Sequence, residues 1–490
     1  MALIPPNSRY PLTRPALLLG VAGGCVTALV VSSALVGFAV FVLLVTVGAT
    51  WIRDRPAIFP FILAYQWITV TIGYFYSLVT GVFPSTYPPG DIERTVSLSL
   101  SGLLLLALGI RLVSALPGAQ AASEDGDQER EIGGLSRLFW LVMAVYAIDY
   151  SHALNSALSG GAGQVVARVL DFRQVLLITL WWEVLRRREG IHYIWITLAW
   201  VSAPLLGTYF SDFKIPLLLL FITWVSFFKP WARDAWRFSL RQIVIGVVVA
   251  VALVFGALVW QAGVKKETRR AHDTNAVGGG PAARISLFLQ SAQASVPIVL
   301  EDTTQVVEGL VERLSYITFF SRVLDHVPKV QPHTNGELLG MAFGNAFTPR
   351  FLFPGKAELP SDSVYTQRFA GIQVSDKATS ISIGYMAEFY VDWGVTGMML
   401  MVFGYGCWIG LAYWLLQRFS PPLLLNGVLV AVLMSVYQFE HQFIKTFAAL
   451  NMAVIVVLGM AVALRRPLGT FLDVRPIDSA ADADIEEQPA

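Results

Sequence analysis

An all-α polytopic integral membrane protein is the fold class this sequence predicts, and three observations carry it. Of 490 residues, 55% are hydrophobic and only 14% charged, and the mean hydropathy is +0.60. Apolar runs of about 17 to 25 residues, the length a helix needs to cross hydrocarbon, follow one another along most of the chain. A single long polar excursion, Lys265 to Gly384, interrupts them. Backbone groups in a bilayer must satisfy one another within the segment, so each run reads as a helix.

The first apolar run, Pro15 to Ile52, is too long for one span and carries Ser32, Ser33 and Gly37 near its middle. It predicts a tight helical hairpin, with one long tilted helix or a cleaved signal sequence as the alternative. Further spans are predicted at 57–82, 95–115, 137–158, 168–185, 191–209, 214–228, 242–263, 394–416, 422–439 and 446–464. With the hairpin counted as two, the total is about twelve transmembrane helices. Cys25 and Cys407 both fall inside apolar runs, which argues against a disulfide framework or a cysteine metal site.

Lys and Arg at the span ends orient the chain, because cytoplasmic loops accumulate positive charge. Arg9, Arg14, Arg53, Arg55, Arg186 to Arg188, Lys229, Arg233, Arg237, Arg241, Arg418, Arg465 and Arg466 all fall on one side. That side is predicted to be the cytoplasm, with both termini there. The chain then divides into N-terminal spans (1–263) with a cytoplasmic polar linker near 117–136, a large extracytoplasmic loop (264–385), C-terminal spans (386–466) and a tail (467–490). Linker and tail lack the apolar content to fold and are expected to be disordered.

The outer loop holds twelve Lys/Arg between Lys265 and Lys377 against eleven Asp/Glu. Such a balance is unlike the one-sided basic arm of a nucleic-acid binder. Within it Val307, Leu310, Leu314, Ile317, Phe320 and Leu324 recur every three or four positions, predicting an amphipathic helix over 303–326 on the outer membrane surface.

Ionisable residues at the membrane are costly, so their placement is informative. They gather at the predicted outer ends: Asp149 and His152, Asp171 and Arg173, Asp212 and Lys214, and Glu440, His441 and Lys445. Tyr437, His441 and Lys445 are spaced to share one helical face, and Glu388 and Asp392 are likewise four apart. Together they describe an outward-facing polar site roofed by the loop; taken singly, each is also what any helix end carries where it meets water. Few charges lie at mid-span, which disfavours an ion pathway across the bilayer.

One stretch of the loop, Gly344-Asn-Ala-Phe-Thr-Pro-Arg350-Phe-Leu-Phe-Pro354-Gly-Lys356, holds a guanidinium and an ammonium in a proline-stiffened apolar turn, and Arg368 follows. A guanidinium fork suits a diphosphate, donating two parallel hydrogen bonds. A loop arginine anchored to lipid headgroups is the alternative.

This turn and the run Ser380-Ile-Ser-Ile-Gly384-Tyr-Met-Ala-Glu388-Phe-Tyr390-Val-Asp392-Trp-Gly394-Val-Thr-Gly397 resemble the bacterial oligosaccharide repeat-unit polymerases, the family of the O-antigen and exopolysaccharide polymerases. The run is similar to the Gly-Glu-Tyr and Phe-Gly pattern at which that family's main outer loop re-enters the membrane. It departs in having Ala387 before Glu388 and Asp392-Trp393 in place of a hydrophobic pair. The resemblance implies a GT-C-like architecture in the bacterial inner membrane. It also implies a glycosyltransferase that joins oligosaccharides carried on undecaprenyl diphosphate. A flippase and a chain-length regulator are the implied partners, beside the lipid bilayer. Arg350, Lys356, Arg368 and Arg322 would then hold the diphosphate, while Glu388, Asp392, His326, His333 and His441 are the candidates for orienting or deprotonating the attacking hydroxyl. No cofactor is required: the loop has no DxD-like acidic pair, and Glu440-His441 lacks a matching partner at metal-ligand spacing.

Two other readings stay open. An O-antigen-ligase-like or other lipid-linked sugar transferase would differ only in its acceptor, and a polytopic transporter would call for an inverted repeat and polar residues at mid-bilayer.

Overall fold

The structure, a computed structural model, describes residues 9–117, 130–150, 161–203, 214–230, 232, 239–265, 267, 270, 281–348, 353, 360–373 and 381–476. Helices α1 (Thr13–Val31) and α2 (Ala34–Thr50) form the predicted hairpin. Ser32 closes α1 in the left-handed conformation (φ 54°), and the Ser33 hydroxyl accepts from the Val36 N–H to start α2. Gly24 and Gly37 meet at the crossing, where a Cβ on either would strike the other's carbonyl oxygen. Small residues allow that approach where apolar burial drives nothing in lipid.

Then follow α3 (Ile58–Thr80), α4 (Ile92–Ser114), α5 (Leu135–Tyr150), α6 (Gly161–Arg187), α7 (Ile191–Ser202), α8 (Lys214–Ser226) and α9 (Leu240–Val259), which runs on as a π-helical turn, Trp260–Val264. The stretch read as an outer loop contains α10 (Pro281–Glu301), α11 (Thr303–Leu314), α12 (Ile317–His326), α13 (Glu337–Phe347) and α14 (Asp362–Ala370). The C-terminal part is α15 (Tyr385–Phe419), α16 (Leu425–Leu433) between the 3-10 turns Pro422–Leu424 and Met434–Val436, and α17 (Phe443–Phe471).

Among the described residues, six helices are long and apolar enough to cross a membrane: α1, α3, α4, α9 with its π turn, α15 and α17. Shorter apolar helices of 10–17 residues accompany them. The protein is thus a helical membrane protein. Its densest contact is α4 against α15, where Gly109 lies on the Phe403 carbonyl and Gly406 on the Leu106 carbonyl. By contrast α9 is exposed on all sides from Leu240 to Gly256, as a helix solvated by lipid would be. Only its last residues pack, with Leu258, Val259 and Val264 meeting Val299 of α10 and Val306 of α11.

The amphipathic helix expected over 303–326 is corrected. It breaks at Ser315 and Tyr316, and its second half, α12, buries Ile317, Phe320, Val323 and Leu324 in the main core instead of lying on a membrane surface. Core packing accounts for the difference, since the apolar face of α12 is covered by α4, α14 and α15.

Basic residues converge at one end of the bundle. The Arg53 N–H donates to the Arg9 carbonyl (3.0 Å), the Arg9 guanidinium to Gln417, and Arg111 lies 3.2 Å from the Tyr10 ring centroid. Lys229 and Asp54 approach to 3.9 Å. At the far ends of α6 and α17 a two-stranded ribbon forms: β1 (Arg130–Ile132) pairs antiparallel with β2 (Val474–Pro476). Arg187 donates to the Ile132 carbonyl (2.7 Å) and Arg137 to the Phe471 carbonyl (3.2 Å). Part of the predicted linker and tail is therefore ordered, because each supplies the other's strand partner. Helices α15 and α17 both end near this basic pole and both begin at the opposite one, where the candidate site lies.

Candidate active site

The first two turns of α15 form the floor. Its helix is interrupted at Trp393 (φ −139°, ψ 15°) and Gly394 (φ 67°), a left-handed position that favours glycine. Before the interruption, Glu388 and Asp392 are buried one turn apart, as their spacing predicted, and each closes another helix. Glu388 Oε2 accepts from the N–H of Phe443, the first residue of α17, at 2.8 Å. Asp392 accepts from Leu338 N–H (3.1 Å), Leu339 N–H (2.9 Å) and the Thr334 hydroxyl (2.5 Å), so both of its oxygens serve the start of α13. Such caps satisfy donors that a helix leaves unpaired in its first turn and place negative charge at the positive end of its dipole.

His333 belongs to the same joint. Its Nδ1 lies 3.2 Å from the Val391 carbonyl and its ring stands edge to face on Tyr390 at 5.5 Å. Thr334 and Asn335 donate to the carbonyls of Val391 and Asp392, docking the turn before α13 on the kink.

Helices α13, α14 and α17 and the turn 437–442 supply further polar groups. Lys445 holds Asp362 through both carboxylate oxygens, at 2.6 and 2.7 Å. Arg368 forms a fork with Glu337, Nη1 to Oε1 at 2.8 Å and Nη2 to Oε2 at 3.1 Å. This pairing holds the Glu337 carboxyl below its usual range and raises Arg368 further. The Tyr365 hydroxyl donates to Met341 Sδ at 3.7 Å; burial first, then the charges of Glu388 and Glu337, raise its phenol.

The helical face expected for Tyr437, His441 and Lys445 is corrected as well. The chain leaves the helix at Tyr437 and resumes at Phe443, with Gln442 in extended conformation (ψ 141°) before α17. Gln66 of α3 fixes the turn, donating to the Val436 carbonyl (3.3 Å) and accepting from the Tyr385 hydroxyl (2.8 Å). Released from a helix, the turn presents Glu440 and His441 to neighbours on other elements. Partial burial lowers the His441 imidazole below its ordinary value, with Lys445 and Lys214 acting in the same sense against Glu440 and Asp362. The residue is nonetheless exposed. Tyr316, hydrogen-bonded to Ser382, is pushed well above its ordinary value by burial and by Glu440. Arg313 of α11 feels both Glu440 and Tyr65.

Of the candidate residues, Glu388, Asp392 and His333 thus meet on one floor; Arg368 is paired with Glu337 at the start of α13, and His441 feels the charges of Asp362 and Lys445. His326 and Arg322 stand on α12: the His326 ring lies against Gly371, whose Cβ would be 3.0 Å from Nδ1, and the half-buried Arg322 has no hydrogen-bond partner for Nε among the described residues. Arg350, Lys356, His152 and Asp212 lie outside the described residues. Asp362, Tyr365, Tyr316, Arg313 and Gln66 were not anticipated. Asp362 alone carried a signal, as an acidic residue following Pro360-Ser361 at a helix start.

Carboxylates, an imidazole, an ammonium and guanidinium groups at one pole can orient a hydroxyl, accept its proton and stabilise a departing anion. No curated protein and no solved structure matches the chain significantly. A family described as a domain of unknown function, DUF8712, matches residues 135–418, which run from α5 through α15 and include the floor of the site. That match spans more than half of the 490 residues, and the chain belongs to this family.

Proposed function

We propose that the protein is a membrane glycosyltransferase that polymerises undecaprenyl-diphosphate-linked oligosaccharide repeat units into a surface polysaccharide. The observation that carries this reading is the concentration of ionisable groups at one pole, about Glu388, Asp362, Lys445, Glu440 and His441, in a chain otherwise built of apolar helices. Such a cluster is expensive beside lipid and is expected where charge is made or moved. The basic residues at the opposite pole support placing the site outside and both termini in the cytoplasm of a bacterium. The short apolar helices would complete a bundle of about twelve spans with GT-C-like architecture.

In the reaction, a hydroxyl of one lipid-linked repeat attacks the anomeric carbon of a chain carried by a second lipid, and prenyl diphosphate leaves. The Pro349–Lys356 stretch of the sequence supplies cations for the diphosphate in Arg350 and Lys356. Arg368, bound by Glu337, would have to exchange partners to join them. Asp392 is committed as a cap, which leaves Glu388, His326, His333 and His441, together with Glu440, for the hydroxyl. A flippase would deliver the substrate and a chain-length regulator would set the product.

The test is deletion followed by gel analysis of surface polysaccharide. Lipid-linked single repeats are expected to persist while long chains vanish, and restoring the gene is expected to return them. Long chains at normal abundance in the deletion strain would refute the reading. Loss of a polysaccharide from its final acceptor, with long lipid-linked chains retained, would mark a ligase.

A further inference from the structure

Glycosyl transfer needs a group that holds the attacking hydroxyl, and among the acidic residues of the site Glu440 is placed differently from the caps. Its Oε1 accepts from Gln438 Nε2 at 3.2 Å, whereas its Oε2 is buried with no hydrogen-bond partner among the described residues. Two residues on, Gln442 is only 2% exposed and its Nε2 is likewise without a partner among them. A buried polar atom left unpaired costs about 1–3 kcal/mol. Two in one short turn are explained if their partners arrive with a ligand.

The surroundings indicate what kind of ligand. Tyr65 and Tyr437 meet edge to face at 5.0 Å, and Phe61 stands 6.1 and 6.2 Å from them, so the turn begins in an aromatic cluster. Arg313 interacts electrostatically with both Glu440 and Tyr65. Aromatic faces beside a carboxylate, an amide and a guanidinium match a sugar ring, which has apolar C–H faces and a rim of hydroxyls.

We infer that the 437–442 turn, with Tyr65 and Arg313, is the acceptor-sugar subsite, and that Glu440 Oε2 receives the proton of the attacking hydroxyl. This rests on the glycosyl-transfer reading. The hydroxyl oxygen bonds to the donor's anomeric carbon, the bond from that carbon to the diphosphate oxygen breaks with its electron pair leaving on the diphosphate, and the proton passes to Glu440 and then to water. The titratable groups facing Glu440 are Tyr65 on α3, Arg313 on α11, Tyr316 after it, and His441.

The experiment uses the purified full chain in detergent and, as probe, the lipid extract of the deletion strain with its lipid-linked single repeats. Extension is followed by gel between pH 4 and 9. Glu440→Gln is expected to slow extension by about 100-fold or more and to abolish the rise of rate with pH that a carboxylate base produces, while Glu440→Asp keeps a measurable part of both. Arg313→Gln, a surface change, is expected to raise the repeat-unit concentration for half-maximal rate by about tenfold. Glu440→Gln extending within about threefold of wild type with an unchanged pH profile overturns the assignment and leaves glycosyl transfer standing. Should Glu440→Gln not fold, an Arg313→Gln variant with unchanged concentration dependence overturns the subsite. Failure of the wild-type chain to extend any repeat overturns the glycosyl-transfer reading and this inference with it.

Discussion

Asp392 and Leu339 stand on different helices, 53 residues apart in the chain, and the carboxylate of the first accepts the backbone N–H of the second at 2.9 Å. Because its oxygens are shared among three donors, the residue acts as an architectural cap. Asp392→Ala is expected to destabilise the protein by about 1–3 kcal/mol, and Asp392→Asn by less, since one carbonyl oxygen remains to accept. Thermal unfolding in detergent checks this. Polymer yield should fall only in proportion to folded protein, and a fully stable but inactive Asp392→Ala would reassign the residue to chemistry.

Glu388 should divide differently. Gln at this position still offers an oxygen to the Phe443 N–H, so Glu388→Gln is expected to keep the start of α17 intact, whereas Glu388→Ala should cost about 1 kcal/mol or more. Comparing thermal midpoints of the two variants with their rates of polymer formation separates capping from any chemical role. Equal midpoints for both would show that the cap contributes nothing.

The fork between Arg368 and Glu337 gives a pH dependence with a definite sign. Glu337 is depressed in the folded protein, so its stabilisation is fully present above the ordinary carboxylate range and is lost as pH falls through the lower, folded value. Both side chains are partly exposed, at 40% and 42%, so about 0.5 kcal/mol is expected at neutral pH. A double-mutant cycle with Glu337→Gln and Arg368→Gln should show that coupling at pH 7 and its loss once the pH falls below the ordinary carboxylate range and through the lower folded value. Coupling that grows on acidification would contradict the sign.

Arg350 is the cation whose geometry matters most to the proposed chemistry. Arg350→Ala is expected to abolish long polysaccharide and Arg350→Lys to retain a trace, because lysine keeps the charge and loses the two-pronged geometry. Gel ladders from complemented deletion strains read this directly. Equal ladders from all three forms would remove Arg350 from the site.

Hydropathy made the helical membrane fold legible, down to the Ser32–Ser33 hairpin, because lipid imposes length and apolarity on every span. Glu388 and Asp392 were legible as a pair through their spacing. Their capping roles were not, since the accepting helices begin at Phe443 and Glu337, and which helix end a buried carboxylate meets is decided by tertiary packing. The turn at 437–442 was hidden for a related reason. Nothing local to Tyr437–Gln442 breaks a helix; the pin is Gln66, some 370 residues earlier. The periodicity over 303–326 gave the correct face and the wrong neighbour, because an apolar stripe does not say whether lipid or protein will cover it.

The pairing of Arg130–Ile132 with Val474–Pro476 carries a temporal consequence. Synthesis runs from the N-terminus, so the early strand waits through the insertion of α5 to α17 until its mate leaves the ribosome. A chain cut anywhere before Val474 would display an unpaired edge at the basic pole, and closure of this clasp therefore reports that α17 has been made.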